Sequence, residues 1–152
     1  MLRVVFDTVV FVCGMINPHS VWGGLIFDEL PDSYTLYFSK PILQEILEVL
    51  NRPLLKRKYR TIARRGMPEL LNIFAQADVV EITEIEPASR DPNDNKFLAT
   101  AQAAQASYLV SEDQDLLTLG EYNGIHIITA AAFVRILRER SSHDPTNEKG
   151  EN

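Results

Sequence analysis

The chain has 152 residues, 45% hydrophobic and 24% charged, with a formal net charge of −6. That length suits one domain with a real core. The single cysteine, Cys13, excludes an internal disulfide and fits a reducing, cytoplasmic setting; no stretch is long and apolar enough to span a membrane, and strand-like sequence stands where a signal peptide would.

Residues 2–6 read as a buried strand that ends at Asp7, and a further apolar run follows at 9–12. A loop through Asn17-Pro18-His19-Ser20 leads to a helix over 21–30 with Ser20 as its cap, which Pro31-Asp32-Ser33 breaks. Residues 34–38 form a β-rich run, an edge or second strand. Ser39 caps the next helix, with Pro41 in its first turn, and that helix runs to about Asn51, stopping before Pro53. Residues 54–65 and 68–76 read as two helices separated by Gly66, and 79–82 as a strand. Asp91 caps and Pro92 opens an alanine-rich helix over 92–106. A strand at 108–110 precedes Ser111 and Gln114, which match a capping box for a short helix. The last core strand is 125–128, and Thr129 caps a helix to about Arg138. Alternating strands and helices predict an α/β fold. Residues 1–140 read as one domain and the polar 141–152 as a disordered tail.

Four acids carry the chemistry. Asp7 ends one strand and Asp113 follows another, and parallel sheets gather ligands at the carboxyl ends of their strands. A lone charge inside the apolar run around Asp7 is costly without a partner or a metal. In the 40s helix, Ile42, Leu43, Ile46, Leu47, Val49 and Leu50 share one face; Glu48 points away from it and Glu45 sits on its rim. That position suits a ligand and an ordinary boundary glutamate equally. Asp91 and Asp94 share a helix start, where the dipole favours acids anyway; Asp91 has the cap to serve, and Asp94 is free to project. Asp113 and Asp115 pose the same choice, and Asp113 lies nearer the strand end. Carboxylates converging on one point repel unless a divalent cation neutralises them, which predicts magnesium or manganese and phosphodiester cleavage. Cys13 with His19 or His126 has no nucleophile–base spacing, and the three histidines make no zinc pattern.

Charge is unevenly distributed. Residues 51–65 hold Arg52, Lys56, Arg57, Lys58, Arg60, Arg64 and Arg65, seven of the 15 bases, with no acid. Residues 78–121 hold ten of the 21 acids, with only Arg90 and Lys96 as bases. A cationic patch beside an acidic pocket suits a nucleic-acid backbone held next to a metal site, although a block of like charge is also the ordinary look of a solvated helix face.

Four segments together resemble the PIN-domain family. They are Val4-Val5-Phe6-Asp7-Thr8, the run from Ser39 through Glu45 to Ile46, the run Arg90-Asp91-Pro92-Asn93-Asp94-Asn95-Lys96-Phe97, and the run Tyr108-Leu109-Val110-Ser111-Glu112-Asp113-Gln114-Asp115. The resemblance covers about residues 2–138 and is nearest to the toxin, VapC-like branch. It implies a three-layer α/β/α sandwich around a central, mostly parallel sheet, and cleavage of single-stranded RNA with magnesium or manganese. Asp7, Glu45, Asp94 and Asp113 would be the catalytic ligands, with Asp91 and Asp115 secondary. The partners expected are RNA, a cognate antitoxin and a second copy in a dimer. Val9 stands where the family usually has asparagine, and Cys13 where serine is common. On an extended chain Val9 would share Asp7's side and supply no hydrogen bond, so weakened activity is expected; the alternative function is an RNA- or partner-binding module that keeps the fold.

Overall fold

The computed structural model describes residues 1–82 and 92–142. Its sheet has six strands: β1 (Arg3–Phe6), β2 (Thr35–Phe38), β3 (Asp78–Val79), β4 (Tyr108–Val110), β5 (Glu121–Tyr122) and β6 (Ile125–Ile128). Their order is β3-β2-β1-β4-β6-β5, and every pairing is parallel except β5 with β6. Val4, Val5 and Phe6 are all fully buried, without alternation. A central parallel strand has helices over both faces, so both of its sides must be apolar.

The helices are α1 (Thr8–Ile16), α2 (Val21–Gly23, continuing as a π-helical turn over Gly24–Asp28), α3 (Lys40–Leu50), α4 (Pro53–Lys58), α5 (Arg60–Ala75), α6 (Asn95–Ala103, entered through a 3-10 turn at Pro92–Asp94), α7 (Gln114–Leu119) and α8 (Ala130–Ser142). The chain leaves β1 toward β2 and β3, then returns past β1 to β4 and β6. Crossovers of one hand that run in opposite directions cover opposite faces, which gives the expected three-layer α/β/α architecture. Here α6 lies against β1, β2 and β4, while α1 packs on α3 and α5. Phe6 of β1 meets Phe11 of α1, Tyr34 and Phe133 of α8 at centroid distances of 5.6, 5.6 and 6.4 Å. Such ring pairs add about 0.5–1.5 kcal/mol each beyond area burial. The Tyr34 hydroxyl donates to the Leu25 carbonyl at 2.6 Å, so the buried ring leaves no orphaned polar atom.

Several local expectations are corrected. The apolar run after Asp7, to which no element was assigned, is a helix, α1: it is buried nearly all round, so no amphipathic period marks it. Val9 is therefore on the first turn of a helix and 48% exposed, not on an extended chain that would set it on Asp7's side. The chain does not break at Gly66; it breaks at Tyr59, and α5 runs through both Gly66 and Pro68. Ile62, Gly66, Leu70 and Ile73 form one buried stripe, and that packing overrides weak local propensity. Gln114 opens α7 behind an Asp113 cap, so Ser111 is not its N-cap. Strand β5 went unanticipated, although Asn123-Gly124, both at positive φ, is the hairpin turn that pairs it with β6. The helix expected over 92–106 is shorter, and its Asp91 cap lies outside the described residues; of the tail expected over 141–152, residues 141 and 142 belong to α8 and 143–152 lie outside the described residues.

Candidate metal centre

The strand order reverses between β1 and β4, where Phe6 pairs with Val110 and the Asp7 amide donates to the Val110 carbonyl at 3.0 Å. Open α/β sheets form their ligand crevice at such a reversal. Asp7 emerges there as the N-cap of α1. Its Oδ1 accepts the Val10 amide at 3.0 Å, and its Oδ2 accepts the Ser111 hydroxyl and the Glu112 amide, the latter at 3.3 Å. Burial pushes the Asp7 carboxyl up to about 6, despite the opposing effect of these hydrogen bonds, and the charge of Glu112 adds to the rise.

Ser111 bridges the two strand ends. It donates to Asp7 and accepts the Asp113 amide at 2.9 Å. Asp113 caps α7, its Oδ1 accepting the Asp115 amide at 2.7 Å. That tight turn brings Asp115 round beside it. Asp94, buried at the end of the 3-10 turn, completes the group: Asp94, Asp113 and Asp115 can each present one carboxylate oxygen with all three within 4.8 Å of one another.

Glu45 of α3 meets the residue that follows Asp7. Its Oε2 accepts the Thr8 hydroxyl, and its Oε1 pairs with the Lys96 ammonium at 3.1 Å. The six acids singled out from the sequence thus divide. Asp94, Asp113 and Asp115 form the cluster; Asp7 joins it through Ser111; Glu45 joins Asp7 through Thr8; and Asp91 is not among the described residues. Asp113 lies nearer the strand end than Asp115, yet the two sit together.

Four residues of the site were not singled out: Thr8, Lys96, Ser111 and Glu112. Lys96 carried a signal, as one of two bases in the acidic region. Glu112 carried none. Its Oε1 accepts the Trp22 indole at 3.1 Å and the Ala130 amide at 3.0 Å, tying α2 and the start of α8 to the loop that bears Asp113. Cys13 is raised above its ordinary thiol value by burial and by the charges of Asp7 and Glu112, which makes it a poor nucleophile.

The basic segment forms α4 and the start of α5. Arg52, Lys56, Arg57, Lys58, Arg60, Arg64 and Arg65 are all exposed, and α4 buries no residue. Among the described residues the ion pair of this segment is a long one, Arg52 to Glu48 at 3.8 Å. No single helix among the described residues is long and apolar enough to cross a membrane.

The sequence profile of the PIN domain matches residues 3–115. An uncharacterised protein, MJ1680, of Methanocaldococcus jannaschii is 35% identical over 130 residues, covering 80% of this chain and 77% of that protein. The crystal structure of PAE2754 from Pyrobaculum aerophilum superposes with a TM-score of 0.60 at 11% identity, covering 91% of this chain and 98% of the other; that likeness is one of fold.

Proposed function

Since the chain belongs to the PIN-domain family, we propose that it is a divalent-metal-dependent endoribonuclease that cleaves single-stranded RNA, the toxin of a toxin–antitoxin pair. PIN domains are in general metal-dependent nucleases. The observation that carries the reading is the trio Asp94, Asp113 and Asp115 at the sheet's reversal point. Three carboxylate oxygens are a donor set for a hard cation, so the residues fit magnesium or manganese.

When bound, such an ion supplies Lewis acidity toward the scissile phosphate and a water of lowered pKa. The chain's own residues do the positioning. Ser111 fixes the distance between the Asp7 and Asp113 segments, and the Asp113 cap holds Asp115 in place. The exposed bases of α4 and α5 hold the RNA backbone without reading its bases. The same reading puts the protein in the cytoplasm, with an antitoxin as partner and a dimer as its assembly.

The test is cleavage of a single-stranded RNA with magnesium or manganese, its loss in excess chelator and its return on adding manganese. Unchanged cleavage in chelator would overturn the metal mechanism. RNA binding without cleavage would favour the second reading, a binding module, which the prior engagement of Asp7 and Glu45 by protein donors supports.

Reversal of Arg57, Lys58 and Arg60 to glutamate is expected to weaken binding to all RNA sequences alike. Loss of three phosphate contacts should flatten the slope of log affinity against log salt by about 2, at about 0.7 per contact on a single strand. Affinity and slope that both stay put would show that the patch does not touch RNA.

A further inference from the structure

Resting on the metal-dependent reading above, we infer that the site holds one divalent ion per chain, and that the ammonium of Lys96 takes the place of a second as the standing counter-charge of Glu45.

Both oxygens of Glu45 are engaged, one by the Thr8 hydroxyl and one by Lys96 at 3.1 Å. The pair is largely withdrawn from water, with Lys96 16% and Glu45 27% exposed, so salt screens it weakly. Asp7 is engaged too, accepting three protein donors over its two oxygens. A second ion on Asp7 and Glu45 would compete with those donors for the carboxylate lone pairs and sit beside an ammonium of like charge. The trio of Asp94, Asp113 and Asp115 forms without either residue.

The position of Lys96 is itself built. Thr100 donates to the Lys96 carbonyl at 2.7 Å, and its hydroxyl lies 2.7 Å from that of Ser39. Ser39 and Thr100 are fully buried. Ser39 occupies the N-cap position of α3, the helix that bears Glu45, yet its side chain makes no cap bond; it is turned to α6 instead. A buried hydroxyl chain therefore fixes the segment carrying Lys96 against the helix carrying Glu45. Asp94 lies two residues before Lys96, so one short segment delivers both a trio carboxylate and the cation.

The experiment counts manganese ions per full-length chain, by calorimetry and by native mass spectrometry, for wild type, Lys96→Arg, Lys96→Ala and Glu45→Gln. Wild type, Lys96→Arg and Glu45→Gln should each bind one ion, with affinities within about threefold. Lys96→Ala should gain a second, weaker ion as Glu45 loses its counter-charge. Two ions of similar affinity on wild type would overturn the inference. So would a fall of more than tenfold in Glu45→Gln, or a Lys96→Ala that folds and still binds one ion. Should Lys96→Ala not fold, the arginine and glutamine variants decide. No manganese on wild type would overturn the inference and the metal reading together. One ion without RNA cleavage would support the count and overturn the nuclease reading alone.

Discussion

Asp113→Asn should leave the protein folded and abolish manganese binding and RNA cleavage. Asp113 has two tasks that this substitution separates. As the cap of α7 it needs one side-chain acceptor for the Asp115 amide, and asparagine caps as well as aspartate. As a member of the trio it needs negative charge, which asparagine lacks. Partners that merely orient a metal ligand alter affinity by about 10–100-fold, so loss of a ligand's own charge should cost at least about 100-fold. The melting temperature without metal should hardly move, and relief of repulsion among three aspartates can raise it. Asp113→Ala is the contrast: it also loses the cap, worth about 1 kcal/mol. Calorimetry with manganese, thermal melts and RNA cleavage on both variants check this. An Asp113→Asn protein that binds manganese like wild type would remove Asp113 from the metal centre.

Asp7→Asn should change protein stability with a sign that depends on pH. The carboxyl sits at about 6 in the fold against an ordinary 3.8, so the folded state binds its proton more tightly than the unfolded one. Its contribution is fullest below about pH 3.8 and declines as pH rises through 6. Above that, the buried charge costs about 3 kcal/mol, which is the gap between 3.8 and about 6 at about 1.36 kcal/mol per pH unit. Asparagine removes that cost, but it has one acceptor oxygen where Asp7 uses two, so one of the donors from Val10, Ser111 and Glu112 is left poorly met. An unmet buried donor costs about 1–3 kcal/mol. The variant should therefore be the more stable protein at pH 8 by about 1 kcal/mol, and the less stable one at pH 4. Urea unfolding in chelator at pH 4, 6 and 8, followed through Trp22, reads this directly. Curves that keep a constant separation across that range would mean that Asp7 does not titrate near 6.

Glu45 shows how far a helical phase reaches. The apolar face of its helix put Glu45 on the rim and Glu48 in water, and their side chains are 27% and 73% exposed. The phase could not say what the rim faces, because Thr8 lies 37 residues away and Lys96 belongs to another helix. Helix α1 was illegible for the opposite reason: a helix buried nearly all round has no polar face to set its period. The Ser111 hydroxyl looked like a helix cap and instead spans 104 residues to Asp7.

Apart from α1 and β5, sequence alone determined the succession of strands and helices, the strand-end positions of Asp7 and Asp113, and the separation of a basic segment from an acidic one, since each depends on period, turn residues or composition within a short window. Tertiary structure alone decided which acids converge. It drew Asp115 into the cluster through the Asp113 turn, gave Asp7 three protein donors, and gave Glu45 to Lys96. A carboxylate's role is set by the donors and charges within a few ångströms of it, and in a doubly wound sheet those arrive from strands and helices far apart in the chain.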